Sequence, residues 1–185
     1  MPRPLRIRFA GATYHVFARG VNREAIFRGD DDRRRFLLLL ARAQQRYGWR
    51  VHAYCLMGNH FHLLVGTPEP NISEGMQWLN GVYAQGFNRI HGRIGHLFQD
   101  RFQAVLVERD DQLVWLLAYI ARNPVRAGLA TAPQRYRWSS YREAAGYRRA
   151  ASYLDLGVIV TYFGGGDLLR AQLRLRGYVE ADEPP

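Results

Sequence analysis

Two histidines and, nearly sixty residues later, a tyrosine and an asparagine are the side chains of this 185-residue sequence with the types and spacing to do chemistry. His60 and His62 stand in Gly58-Asn59-His60-Phe61-His62-Leu63-Leu64, two apart at the start of a strand-like run. Strand side chains alternate, so both imidazoles point to one face. Two neutral imidazoles side by side make half a site for a divalent metal, leaving the other positions to oxygen donors, water or substrate. An isolated His-x-His is more often packing or surface. The hairpin context strengthens it, because a histidine beside Leu63, Leu64 and Val65 sits badly unless something polar meets it. Tyr119 and Asn123 are four residues apart in a helical pattern, hence neighbours. At roughly 100° per residue they lie about 70 to 110° from the centre of the Leu113-Leu116-Leu117-Ile120 stripe, on its border. A phenol and an amide oxygen emerging there suit a nucleophile and a third metal ligand. Alone, Tyr119 reads as a boundary aromatic, and Pro124 biases Asn123 toward the helix end.

The elements that must position these groups follow from periodicity. Thr13 to Arg19 alternate Tyr14, Val16 and Ala18 against His15, Phe17 and Arg19, as a first strand does. Asp30 to Asp32 open a helix with Phe36, Leu37, Leu40 and Ala43 inward, ending near Gly48. Val51 to Met57 and His60 to Gly66 read as strands joined by Gly58-Asn59, a dipeptide suited to positive φ in a two-residue hairpin. Ser73 can cap a helix carrying Met76, Leu79, Tyr83, Phe87 and Ile90. Phe102 to Glu108 supplies a fourth strand, and Asp110-Asp111 begin the helix of Tyr119. The β-α-β-β-α-β-α order predicts an α+β, ferredoxin-like (split β-α-β) fold: an antiparallel sheet with helices on one face, plus a C-terminal helical extension. Many functions share that fold.

Composition narrows the partners. All 26 basic residues are arginine, set against 16 acids, for a formal net charge of +10. Guanidinium forks pair bidentately with phosphate and stack on bases, so a polyanion is expected, with nucleic acid ahead of acidic lipid. No apolar run, Phe36 to Ala41 included, is long enough to span a membrane, and no signal-peptide core follows the basic start; a cytoplasmic location is the default expectation. The single Cys55 allows neither an internal disulfide nor a thiolate zinc cage. Residues 1–28 hold six arginines and one acid, whereas 150–185 hold three arginines and five acids, so residues from 148 onward read as a peripheral extension.

The segments YHVFARGVNREAIF, AYCLMGNHFHLLV, YIARNPVRAGL and WSSY, in that order, resemble the REP-associated tyrosine transposases, a branch of the single-tyrosine HUH transposases. The resemblance runs from about Arg3 to Tyr147 and implies a transposase domain over 1–147, with a basic arm at 1–11. It implies that His60, His62 and Asn123 hold Mg²⁺ or Mn²⁺ and that Tyr119 attacks DNA to give a 5′-phosphotyrosine and a free 3′-OH. The implied substrate is single-stranded, REP-type hairpin DNA. The absence of a G-x-x-x-x-G-K-[ST] motif agrees, since a covalent link needs no nucleoside triphosphate for rejoining. Where many relatives have Arg before the tyrosine and His two after it, this chain has Ala118 and Ala121. His15 is available as a base for Tyr119, though it reads as a packed strand histidine.

Arg135, Arg137, Trp138 and Tyr141 interleave guanidinium and aromatic groups as a single-strand groove does. Arg3, Arg6 and Arg8 form the basic arm, and Arg19, Asn22, Arg23, Arg89, Arg93, Arg101 and Arg122 are further DNA-contact candidates. Two other functions stay open: a non-catalytic DNA-binding protein or repressor on the same fold, and a small-phosphodiester hydrolase. The latter lacks a second matching motif among His52, His91 and His96. Monomer and homodimer are both compatible with the sequence.

Overall fold

The computed structural model describes residues 9–181. Four strands form one antiparallel sheet: β1 (Ala12–Arg19), β2 (Arg50–Leu56), β3 (His60–Thr67) and β4 (Gln103–Leu106), in the order β2-β3-β1-β4. With α1 (Asp30–Tyr47) after β1 and α2 (Ile72–His91) after β3, this is the expected split unit. β1 alternates as expected, turning Tyr14, Val16 and Ala18 into a core shared with Phe36, Leu40, Leu79 and Tyr83 of α1 and α2. His15, Phe17 and Arg19 are left for the opposite face. A bulge between Val51 and Ala53 lets Val51, Tyr54 and Leu56 share that same core despite their uneven spacing.

The other face is covered as well. α3 (Asp110–Arg126) and α6 (Leu168–Glu180), the latter following the short α4 (Tyr141–Ala144) and α5 (Gly157–Ile159), bury Leu116, Leu117, Ile120, Ala171, Leu175 and Val179 against Ala53, Cys55 and Leu64 of the sheet. Although residues from 148 onward read as peripheral in sequence, α6 contributes Ala171, Leu175 and Val179 to this second core beside Leu116, Leu117 and Ile120 of α3. Ala118 and Ala121 are buried in that core, which explains why neither position carries a charge.

Local turns differ from expectation in two places. Gly58 and Asn59 do close the β2–β3 hairpin, with Met57 N–H donating to His60 O at 2.9 Å, but neither has positive φ. Tertiary bonds hold the turn instead: Gly58 O accepts from Ile26 and Phe27, and Asn59 O from Gly20. α2 starts at Ile72, ahead of the proposed cap Ser73, and its N-cap Asn71 caps nothing. The Asn71 side chain is engaged across the fold, accepting from Trp49 Nε1 at 2.9 Å and donating to Tyr47 O at 2.8 Å.

The Trp138-Ser139-Ser140-Tyr141 segment, just before the short α4 (Tyr141–Ala144), straps the free edge of β2. Leu56 N–H donates to Trp138 O at 2.9 Å, and Ser140 Oγ accepts from Tyr54 N–H at 2.9 Å. An edge so paired cannot template a foreign strand. No helix among the described residues is long and apolar enough to cross a membrane. Because Leu175 is 2% exposed in the second core, Leu175→Ala is expected to cost about 2–5 kcal/mol. The urea midpoint should fall with an unchanged m value; a shift below 1 kcal/mol would show the C-terminal helix to be peripheral after all.

Candidate active site

α3 leaves the β1 end of its sheet face open, and the resulting cleft of about 420 Å³ is where the chemistry-bearing residues meet. β1 contributes His15, Phe17 and Arg19, β3 contributes His60 and His62, and α3 contributes Tyr119 and Asn123. Gln99, Asp100, Arg101 and Gln103, in and after the loop before β4, close the fourth side. Register does the placing. Phe17 faces His62 and Arg19 faces His60 across the β1–β3 ladder, so the imidazoles share the outward face of β1. The His60 and His62 rings are 5.1 Å apart and edge-on. The Tyr119 ring lies 5.7 Å from His62 and 6.0 Å from His15, edge-on to both.

Hydrogen bonds set the imidazole tautomers. Asn59 Nδ2 donates to Arg23 O at 3.0 Å, which turns its Oδ1 toward His60. His60 Nδ1–H then donates to Asn59 Oδ1 at 2.7 Å, leaving Nε2 with a bare lone pair. His62 Nδ1 and His15 Nε2 are 3.0 Å apart. With His62 Nδ1–H donating, its Nε2 is bare too. Asn123 Nδ2 donates to Tyr119 O at 2.9 Å, so its Oδ1 is the atom left for other partners. α3 continues through Pro124 to Arg126, so Asn123 sits inside the last turn and not beyond the helix.

Burial keeps the imidazoles neutral. It pulls His15 and His60 down to about 4, Arg19 adding to the effect on His60. His62 falls to about 3, through burial and then the neighbouring His15, His60 and Arg19. Among the described residues no three His, Cys, Asp or Glu side chains form a cage. Beside Tyr119, the cleft holds the imidazoles of His15, His60 and His62 and the Asn123 amide.

The proposed DNA contacts divide. Arg19 and Arg101 line the cleft. Asn22 and Arg23 are exposed at the corner after β1, held at φ 50 and 59 beside the hairpin tip. Arg135 is exposed, Arg137 pairs with Asp30 at 2.9 Å, and Arg93 pairs with Glu24 at 3.1 Å. Three of the candidates are engaged within the fold. Arg122 Nε donates to Val179 O at 2.7 Å and Nη2 to Ala181 O, so it caps α6. Trp138 is buried at the strapped sheet edge under Arg33 and Arg137, and Tyr141 donates to Glu180 Oε1 at 2.6 Å; packing claims both rings. Arg89 lies in a larger groove of about 1030 Å³ between α1 and α2, lined also by Arg28, Arg35 and Arg42. Its imidazole, His91, is already bonded to Asp32 at 3.0 Å, and its lining includes no hydroxyl or thiol side chain, whereas the smaller cleft holds Tyr119. Arg3, Arg6 and Arg8 lie outside the described residues.

Residues 9–123 match the family model described as Transposase IS200 like. The chain belongs to the IS200-like transposase family. Membership makes it a DNA-processing protein of transposase type. Among solved structures, a REP-associated tyrosine transposase bound to a REP hairpin is similar over 84% of this chain and 93% of that one, at 16% identity and a TM-score of 0.68. That likeness shows a shared fold. A Deinococcus radiodurans R1 protein described as a candidate transposase is similar over 64% of this chain and 95% of that one, at 19% identity and a TM-score of 0.46. No curated protein matches.

Sequence reasoning missed Gln99, Asp100 and Gln103, which follow no periodic pattern. It also passed over Trp115, whose place one turn before Tyr119 was legible. Since the three folded imidazoles lie below the free value of ~6.5, unfolding takes up protons in acid. Stability is therefore full above pH 6.5 and declines as pH falls toward 4. The urea midpoint should drop between pH 7.5 and pH 5, and His62→Leu should shrink that drop; an equal drop in both proteins would exclude His62 as a source.

Proposed function

We propose that this transposase-family chain nicks and rejoins single-stranded DNA through a 5′-phosphotyrosine on Tyr119, in a metal-dependent reaction on hairpin DNA of REP type. The observation that carries the reading is the convergence of two neutral imidazoles, an amide oxygen and a phenol ring in one arginine-walled cleft. The donors fit a hard-to-borderline divalent cation, because His60 Nε2 is bare by tautomer and Asn123 Oδ1 is spared by its own helix. His60, His62 and Asn123 would hold Mg²⁺ or Mn²⁺, which when bound supplies charge neutralisation at the scissile phosphate.

The remaining work falls to the chain's own groups. Arg19 and Arg101 draw the phosphate backbone into the cleft. His15 orients His62 through their shared hydrogen bond. The Tyr119 oxygen forms the new bond to phosphorus, the bond from phosphorus to the 3′ oxygen breaks, and that oxygen leaves as a 3′-OH in exchange for the phenol proton. Reversal by a 3′-OH rejoins the strand. The REP hairpin as substrate is supported by the neighbour of like fold solved on such a hairpin.

A hairpin oligonucleotide labelled at the 5′ or 3′ end, incubated with and without Mn²⁺, tests polarity and metal need together. The strand carrying the new 5′ end should become protein-linked only with metal, and Tyr119→Phe should abolish the adduct while binding stays near wild type. An adduct that persists in the variant would falsify the assignment; EDTA-insensitive binding with no cleavage would leave a DNA-binding protein instead. Asn59→Ala frees the His60 tautomer and is expected to weaken Mn²⁺ binding by calorimetry about 10- to 100-fold; unchanged affinity would separate His60 from the metal.

A further inference from the structure

Tyr119 does not stand alone on α3. Trp115, one turn earlier, stacks on its ring at 4.9 Å and an interplanar angle of 16°. Arg126, two turns later, holds its guanidinium 5.7 Å from the centre of the same ring. The helix turns Leu113, Leu116, Leu117 and Ile120 into the second core, so Trp115 points away from it and is 45% exposed. Stacked on Tyr119, the indole keeps much of its surface in water. Val105, opposite His15 in the β1–β4 ladder and 48% exposed, puts a second apolar side chain on the same sheet face.

An exposed indole stacked on a phenol at the edge of an arginine-walled cleft matches the chemistry of one ligand part. A base within one nucleotide of the phosphate at Tyr119 has a π-face, and in a single strand that face is free to stack. In a duplex it is already covered. We propose that Trp115 is the stacking platform for a nucleobase beside the scissile phosphate and, through the same ring, a positioning residue for Tyr119. The inference rests on the phosphotyrosine reading above and adds to it the means by which the site selects unpaired DNA.

Of the four tryptophans, Trp49 and Trp138 are buried and Trp78 is half-buried, so Trp115 is the one open to a ligand. A hairpin oligonucleotide with a single-stranded flank should quench the intrinsic fluorescence, and Trp115→Phe should remove most of that quench while binding nearly as wild type. Trp115→Ala should weaken binding about tenfold and lower the rate of adduct formation, with Trp115→Phe restoring both. Moving one abasic nucleotide along the flank should find a position that costs wild type about the same tenfold and costs Trp115→Ala nothing further. Full quench in Trp115→Phe, or additive losses at every abasic position, would overturn the platform. Neither binding readout needs cleavage. Quench and non-additivity without any adduct would sink the phosphotyrosine reading and keep the platform; an adduct with additive losses everywhere would do the reverse.

Discussion

The register of β1 against β3 is the constraint on which the site depends. Phe17 opposite His62 and Arg19 opposite His60 put the three imidazoles of the cleft on one face and the apolar Phe61, Leu63 and Val65 on the other. A slip of one residue would send both β3 imidazoles into the α1–α2 core and three large apolar side chains into the cleft. Burial of Phe61, Leu63 and Val65, each fully covered, therefore fixes the positions of the polar groups that need not be stable in themselves.

The corner after β1 strengthens that register from outside the ladder. Gly20 approaches Glu24 O so closely that a Cβ would stand 2.2 Å from it, and Asn22 and Arg23 follow in left-handed geometry. Non-glycine residues held there cost on the order of 1–3 kcal/mol each. What the strained corner secures is the hairpin tip: Arg23 O orients the Asn59 amide, which in turn fixes the proton on His60. Strain in one loop is thus linked to the protonation pattern of a side chain on another strand.

The arginines have divided duties. Arg122 and Arg176 donate to backbone carbonyls of Val179 and Ala145, and Arg137 and Arg93 answer carboxylates, so these guanidinium groups hold the fold. Arg19 and Arg101 face the cleft, and Arg126 flanks the phenol. Net charge shows the class of partner but not which side chains meet it. The uncovered part of the sheet face matters as much: α3 packs over β2 and β3 with α6 beside it, and the cleft opens beside β1.

Periodicity alone determined the strand and helix order, the outward alternation of His15, Phe17 and Arg19, the shared face of His60 and His62, and the neighbouring of Tyr119 and Asn123. Each is a consequence of local geometry repeated every two or 3.6 residues. The fate of Trp138, Tyr141 and Arg122 was not legible, because a sequence gives the same interleaved basic and aromatic pattern whether it lines a groove or straps a sheet edge. The hairpin's lack of positive φ and the unused cap at Ser73 escaped for a related reason: carbonyls and side chains distant in sequence took over both turns. Only the tertiary structure decided that α3 crosses the face opposite α1 and α2 and that α6 completes the core beneath it. Those placements depend on which apolar surfaces find each other at long range, and only that pairing brings the phenol ring within 5.7 Å of His62.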